Sequence, residues 1–321
     1  MDELLEPLIA MDRRALSRAI TLIESTRPDH RARATDLLAR LPDRQALRIG
    51  LSGTPGVGKS TFVEAFGTLL TQQGLRVAVL AVDPSSTRSG GSILGDKTRM
   101  ETLARNPMAF IRPTPSNAQL GGVARRTREA IRLCEAAGFD VVLIETVGVG
   151  QSETLVAEMC DLFVLLLAPA GGDELQGVKR GIMEMADLIL INKADGDLLS
   201  TARRTVADYA GALRLLRKRP QDPEGFPKAL PVSAVTGDGL AGAWAQMQHL
   251  ADWRREHGHF AANRAEQARQ WFLADVRAGL LARLDTPEAR ARLMQLGDAV
   301  ARGTTAPAQA AQQILDWLSP D

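Results

Sequence analysis

The sequence predicts an α/β fold with a mostly parallel central sheet flanked by helices, together with N-terminal helices and a C-terminal helical extension. Between residues 47 and 257, short apolar runs of strand length alternate with stretches that carry apolar residues at helical spacing. A glycine-rich turn joins the first of these runs to a helix, and beyond residue 257 only helical patterns remain. We therefore expect the 321 residues to form one α/β core with helical additions.

Composition and charge exclude several classes of protein. The chain is 45% hydrophobic and 24% charged, and 39 basic against 38 acidic residues leave a net charge of +1. This balance gives no electrostatic argument for a nucleic-acid or membrane partner. No stretch approaches the roughly 18 apolar residues of a membrane span, and the first residues contain no cleavable apolar core. Cys134 and Cys160 are isolated, so we expect buried, reduced thiols and a cytoplasmic location.

Three segments follow from these patterns. Residues 1–41 are predicted to form an N-terminal segment of two helices, separated at Pro28. Residues 42–258 carry the alternating strand and helix patterns of the core. Residues 259–321 form the helical extension, in which Phe272, Val276 and Leu280 share one face. Such an apolar stripe must be buried, either against the core of the same chain or against a second copy.

The glycine-rich turn has the pattern G-x-x-x-x-G-K-[ST], between a strand over Leu47–Leu51 and a helix that begins at Thr61. Its glycines let backbone N–H groups surround phosphates, Lys59 supplies a cation for the terminal phosphates, and the Ser60 hydroxyl can bind Mg²⁺. An ordinary glycine-rich turn is the alternative, but the flanking strand and helix favour the fold of P-loop NTPases. The predicted phosphate-binding residues are Gly53, Thr54, Pro55, Gly56, Val57, Gly58, Lys59, Ser60 and Thr61.

A second strand, over residues 76–82, delivers Asp83 at its carboxyl end, where α/β sheets place ligand-binding groups. The Ser- and Gly-rich stretch that follows contains Asp96. We expect a switch loop that Mg²⁺ and the γ-phosphate order, with a solvent loop capped by carboxylates as the alternative.

Another apolar strand, over residues 139–148, ends in the sequence Glu-Thr-Val-Gly. Glu145 can reach a metal ion directly or through water, and the backbone of Gly148 can meet the γ-phosphate. Ras-type proteins have a glutamine directly after this glycine, which orients the attacking water, whereas this chain has Val149 there and Gln151 two positions later. The sequence therefore predicts slow hydrolysis that a partner must complete.

The base-binding residues follow two later strands. Residues 192–195 read Asn-Lys-Ala-Asp, and Asp195 can accept hydrogen bonds from N1–H and the exocyclic amine of guanine. Adenine offers neither donor and would leave a buried carboxylate unpaired, so we expect GTP and GDP rather than ATP. The segment Ser233, Ala234 and Val235 is predicted to contact the guanine O6 face through its backbone.

A polar, glycine-rich segment over residues 169–181 lies at the same predicted edge of the sheet. Its charged residues, among them Lys179, are compatible either with a further mobile loop or with a solvated turn.

The ordered motifs GTPGVGKST, VDPSS, LGDKTRM, IETVGVGQSE, NKAD and VSA resemble those of the methylmalonyl-CoA mutase-associated, metallochaperone-like GTPases of the MeaB and ArgK type. The resemblance covers nearly the whole chain. It implies a homodimeric G protein that binds adenosylcobalamin-dependent methylmalonyl-CoA mutase, gates loading of adenosylcobalamin and protects the mutase from inactivation.

The same resemblance implies roles for individual residues. Ser60, Asp83, Asp96 and Glu145 match the Mg²⁺ neighbourhood of the family. Gln176 and Lys179 fall in a third switch segment that communicates with the mutase, and with Lys59 and Glu145 they complete the candidate catalytic set.

Three other functions are less compatible with the sequence. A kinase would need an acceptor site with a positioned base, and no residue set demands one. A scaffold would use the nucleotide only as a conformational ligand. Nickel delivery would need clustered Cys and His ligands, but the chain has two isolated cysteines and four scattered histidines. GTP hydrolysis in a protein-regulating role is therefore the function that the sequence favours.

Overall fold

The computed structural model describes residues 3–82, 100–113, 120–146, 152–169, 180–216 and 218–318. The chain forms two compact units, Met1–Gln267 and Ala268–Asp321. The first unit contains the sheet and the second is helical. The strands and helices are numbered in chain order.

Within these described ranges, seven strands form one sheet in the order β3-β2-β4-β1-β5-β6-β7, and every neighbouring pair is parallel. The strands are β1 (Leu47–Gly53), β2 (Val77–Val82), β3 (Ala109–Pro113), β4 (Val141–Thr146), β5 (Leu162–Leu167), β6 (Leu188–Ile191) and β7 (Lys228–Pro231). The predicted α/β fold with a parallel central sheet is confirmed.

Helices connect the parallel strands, as the crossover between two such strands requires. In the first unit they are α1 (Leu5–Ile9), α2 (Arg13–Glu24), α3 (Pro28–Ala39), α4 (Lys59–Gln72), α5 (Glu101–Arg105), α6 (Leu120–Ala136), α7 (Ser152–Ala157), α8 (Arg180–Met185), α9 (Leu199–Arg214) and α10 (Leu240–Glu256). Helix α11 (His259–Ala282) contains the boundary between the units, and α12 (Pro287–Ala301) and α13 (Pro307–Leu318) follow it. None of the described helices is long and apolar enough to cross a membrane.

The strands are continuous apolar runs because both faces of the sheet are covered. All six residues of β2, β4 and β5 are buried. This pattern is typical of parallel sheets between two layers of helices. On one face, Phe66 of α4 stacks on Phe62 with ring centroids 5.2 Å apart and meets the edge of Trp244 from α10 at 5.9 Å. These rings hold the helix that follows the glycine-rich turn against the core.

Several short elements differ from the sequence predictions. The N-terminal segment contains three helices rather than the predicted two. Helix α1 was not predicted, because it has only five residues and shows no helical period. Helix α5 also has five residues and was not predicted. Helix α11 begins at His259, directly after Gly258, whose φ of +75° ends the preceding helix. Both cysteines are free and buried, as predicted, and burial raises the pKa of each thiol.

The amino ends of the central strands carry buried ion pairs, at the edge of the sheet opposite the glycine-rich turn. Arg48 donates to both carboxylate oxygens of Glu135 at 2.9 and 2.8 Å. Arg264 of α11 donates to both oxygens of Asp161 at 2.8 and 2.7 Å and to the backbone oxygen of Ala46 at 2.6 Å. Helix α11 is therefore tied through its second turn to the starts of β1 and β5.

A second cluster lies beside the first. Arg254 of α10 donates to the Oδ1 atoms of Asp187 and Asp222, each at 2.6 Å. Asp187 also accepts from the backbone of Phe163 at 2.8 Å, and Arg254 donates to the backbone oxygen of Asp161 at 2.8 Å. Burial alone would lower the pKa of Arg254, but the two carboxylates raise it, so this guanidinium stays charged.

Candidate nucleotide site

The glycine-rich turn leaves the carboxyl end of β1 and enters α4, and its glycines are required by geometry. A Cβ atom on Gly53 would lie 2.3 Å from the backbone oxygen of Leu166. Gly56 and Gly58 have φ values of +80° and +88°, which side chains rarely tolerate. A Cβ atom on Gly58 would also lie 2.9 Å from Nδ2 of Asn192. The turn is therefore compact, and its backbone N–H groups lead into a helix N-terminus, a favourable place for phosphate.

Lys59 is the first residue of α4, and its side chain lies back over the turn. Its Nζ atom donates to the backbone oxygen of Gly53 at 2.5 Å and to that of Thr54 at 3.5 Å. Burial lowers the pKa of Lys59, while Glu145 and Glu153 raise it. A phosphate group offers this ammonium a stronger, charge-assisted partner than a carbonyl oxygen. The lysine is thus placed where the turn would receive an anion.

Glu145 lies at the end of β4, opposite Leu51 of β1 in the strand register, and only 4% of its surface is exposed. Ser60 is the second residue of α4, one position after Lys59. A hydroxyl and a carboxylate are the oxygen donors that Mg²⁺ prefers, so these two residues fit that ion. Asp83 and Asp96, the other predicted metal ligands, lie outside the described residues. Within the ranges described, no group of three or more His, Cys, Asp or Glu side chains could hold a metal ion.

Asn192 joins the turn to the predicted base-binding segments. It follows β6, and only 2% of its surface is exposed. Its Nδ2 atom donates to the backbone oxygen of Val57 at 2.9 Å, and its Oδ1 atom accepts from the backbone of Ala234 at 3.0 Å. Lys193 adds a second link by donating to the backbone oxygen of Gly56 at 2.8 Å. Three segments far apart in sequence therefore form one site.

Asp195 is half-buried, and the Ser233 hydroxyl donates to its Oδ2 atom at 2.5 Å. The same hydroxyl oxygen accepts from the backbone of Thr236 at 3.1 Å. Base binding was predicted only for the backbone of Ser233, and no sequence pattern indicated this orienting role of its side chain. Val235 is 79% exposed beside it. One carboxylate oxygen of Asp195 is therefore held by a hydrogen bond from the protein.

The structure thus brings together the predicted phosphate-binding residues and the predicted base-binding residues at one edge of the sheet. Gln176 and Lys179 lie outside the described residues, as do Val149 and Gln151. Glu153 was not predicted, although it acts electrostatically on Lys59. Its position as the last residue of the motif IETVGVGQSE is the one sequence signal that could have indicated it.

Comparisons with known proteins show which family the chain resembles. A sequence model of the family described as methylmalonyl-CoA mutase-associated GTPase MeaB matches residues 16–289. A protein of Caulobacter vibrioides that is named as a GTPase is 53% identical over 318 residues, which cover 98% of this chain and 97% of the relative. The mitochondrial methylmalonic aciduria type A homolog of Mus musculus is 48% identical over 328 residues, covering 98% of this chain and 79% of the relative.

A solved structure gives the same result at the level of the fold. The crystal structure described as LAO/AO transport system kinase superposes with a TM-score of 0.74 and is 38% identical in sequence. The match covers 98% of this chain and 96% of that chain. The similarity therefore extends beyond the glycine-rich turn to nearly the whole molecule.

Proposed function

Because the chain belongs to the family of methylmalonyl-CoA mutase-associated GTPases typified by MeaB, we propose that it is a G-protein chaperone of adenosylcobalamin-dependent methylmalonyl-CoA mutase. It would hydrolyse GTP to GDP and phosphate in the cytoplasm, gate the loading of adenosylcobalamin and protect the mutase from inactivation. The family match and the relative named for methylmalonic aciduria support the choice of client.

The observation that carries the nucleotide assignment is the bridge made by Asn192. It links the turn at Val57 to Ala234, and Asp195 lies three residues further along the chain. A guanine on Asp195 and phosphates in the turn can therefore belong to one bound nucleotide. We assign base choice to Asp195, which pairs with two donors that adenine lacks.

In the proposed reaction, Lys59 neutralises charge on the transferred phosphoryl group and the turn holds the β- and γ-phosphates. Ser60 and Glu145 would hold Mg²⁺, with Asp83 and Asp96 as the remaining candidates; this ion supplies further charge neutralisation when bound. Gln176 and Lys179 are proposed to act in the response to the mutase. Hydrolysis should be slow in the isolated protein because Val149 cannot orient a water molecule.

We also propose that the protein is a homodimer that associates through its C-terminal helices. In the part of the chain that the structure describes, most of the large apolar side chains with high exposure belong to α11, α12 and α13. Phe272, Val276 and Leu280 are 65%, 44% and 55% exposed and recur every four residues on α11. An apolar face of this kind is typical of a surface that a second copy covers.

The test is the GTP hydrolysis rate of the purified protein at saturating nucleotide, with and without the mutase, and with ATP in place of GTP. We expect a slow basal rate that the mutase raises more than about tenfold, and no hydrolysis of ATP. Lys59→Ala should abolish hydrolysis, while Lys218→Ala, at an exposed lysine remote in sequence from the motifs, should not.

Each outcome of this assay separates the alternatives. Parental hydrolysis by Lys59→Ala would contradict the proposed mechanism. Label from γ-phosphate on an acceptor molecule instead of free phosphate would favour the kinase. Full protection of the mutase by a non-hydrolysable GTP analogue would favour the scaffold, in which nucleotide acts only as a conformational ligand.

A further inference from the structure

The carboxylate of Glu64 on α4 caps the short helix α5. Its Oε1 atom accepts from the backbone N–H groups of Thr102 and Leu103 at 2.9 and 3.1 Å, and its Oε2 atom accepts from Leu103 at 3.3 Å. The residue that precedes α5, Met100, makes no capping hydrogen bond with its own side chain. Glu64 therefore satisfies donors that the first turn of a helix leaves open.

Two further contacts hold α5 along the same face of α4. A Cβ atom on Gly67 would lie 2.5 Å from Cδ2 of Leu103, so the two helices meet closely at that glycine. Four residues later, the Thr71 hydroxyl accepts a hydrogen bond from Nδ2 of Asn106 at 3.0 Å. Positions 64, 67 and 71 follow one face of an α-helix, and position 60 lies on the same face one turn earlier. The face of α4 that begins at Ser60 thus carries α5.

This contact links two parts of the chain that the proposed reaction uses. Helix α4 begins with Lys59 and Ser60, to which we assign phosphate and Mg²⁺. Helix α5 begins directly after Met100, which is fully buried in the core, and Asp96 precedes Met100 by four residues in the sequence. Glu64 therefore fixes the start of α5 relative to the phosphate-binding helix.

We propose that Glu64 is a positioning residue for GTP hydrolysis. By setting the place of α5 on α4, its carboxylate would align the reacting groups without binding the nucleotide itself. The inference rests on the proposed function. No side-chain hydrogen bond of Glu64 within the described chain reaches the glycine-rich turn or the base-binding segments. Small misplacements of reacting groups slow chemistry strongly, whereas nucleotide affinity depends on groups that Glu64 does not contact.

The test is a comparison of kcat for GTP hydrolysis with the Kd for GTP in three variants at this position. Glu64→Ala removes both acceptors and should lower kcat about tenfold or more, with a Kd within about twofold of the parent. Glu64→Gln keeps an oxygen that can accept from Thr102 and Leu103, so it should restore most of kcat. Glu64→Asp keeps the charge but withdraws the oxygens by one methylene group, so it should behave like Glu64→Ala.

This pattern distinguishes positioning from charge. If Glu64 acted through its charge, the aspartate would be active and the glutamine inactive, and the inference would be overturned. Thermal unfolding of each variant is measured alongside, and Glu64→Asp decides the question if Glu64→Ala does not fold. Glu101→Ala is the control, because that side chain lies on the same short helix, is 68% exposed and lies 3.9 Å from Arg105. It should retain the parental kcat.

Two outcomes separate the inference from the proposed function. Parental kcat in both Glu64→Ala and Glu64→Asp would overturn the inference and leave the GTPase intact. Failure of the parent protein to hydrolyse GTP, even with the mutase, would overturn the proposed function and this inference with it.

Discussion

We propose that Asp195 determines base choice through the orientation that Ser233 imposes on it. The serine hydroxyl donates a hydrogen bond to one carboxylate oxygen at 2.5 Å, and the hydroxyl oxygen itself accepts a hydrogen bond from the backbone N–H of Thr236. The carboxylate keeps further lone pairs that can accept hydrogen bonds, and its orientation is fixed, as recognition of two adjacent donors requires. A purine without those donors would leave acceptor sites of this half-buried carboxylate unsatisfied.

The side chain of Asp195 gives a direct test of this account. Asp195→Asn replaces acceptor capacity with an amide donor, so it should weaken GTP binding at least about a hundredfold. Xanthosine triphosphate carries a carbonyl where guanine carries its amine, so the same variant should bind it more tightly than GTP. Both affinities are measured by competition with a fluorescent nucleotide.

Asp298→Asn is the control for the Asp195 experiment, because it makes the same chemical change in the second unit, outside the site. It should leave both affinities unchanged. Unaltered preference for GTP in Asp195→Asn would show that another group reads the base.

At the scale of elements, the first turns of α11 depend on buried ion pairs. Arg264 has a side-chain exposure of 12%, and it donates to Asp161, Glu135 and the backbone oxygen of Ala46. Burial alone would lower the pKa of Arg264, but hydrogen bonding to Asp161 and the two negative charges raise it. The helix is thus fixed to the sheet by a charged group that stays ionised.

Arg264→Met should lower the free energy of unfolding by about 3 kcal/mol, because two buried carboxylates lose a charged partner. This loss of stability lies at the low end of the range for a broken buried ion pair, because Arg48 still pairs with Glu135. Denaturant unfolding measures the change. Arg27→Met is the matched control: its ion pair with Asp29 is also short, at 2.6 Å, but its side chain is 66% exposed, so the loss of stability should be much smaller than in Arg264→Met. Equal losses in the two variants would contradict this account of α11.

Elements of different length were predictable to different degrees. Buried strands such as β4 and β5 stand out as continuous apolar runs, and α10 shows a long helical period. Helices of five residues, such as α1 and α5, are shorter than two turns and carry no readable period. Helix α5 exists because Glu64 caps it and Leu103 is buried against Gly67, and these contacts come from α4, nearly forty residues earlier.

At the scale of the whole molecule, the proposed dimer explains the exposed side chains of the second unit. We expect the parent protein to sediment as a dimer at micromolar concentration. Phe272→Glu should give a monomer, because a carboxylate in an apolar interface would lose its hydration without a partner. Sedimentation equilibrium measures the change. Leu215→Glu is the control: Leu215 is 88% exposed in the first unit, so its variant should remain dimeric. A dimeric Phe272→Glu would place the interface elsewhere.

The parallel α/β core and the glycine-rich turn could be predicted from the amino-acid sequence, which also singled out the segments that we propose to bind the base. These predictions depend on local patterns: apolar runs of strand length, glycines before a lysine, and a short motif at a strand end. How those segments meet became visible only in the folded chain. The bridge from Asn192 to Val57 spans 135 residues, the bond from Ser233 to Asp195 spans 38, and the cap from Glu64 to Leu103 spans 39. Contacts between residues so far apart form only when the strands pair into one sheet and the helices pack on it. No local pattern of residues can therefore predict them.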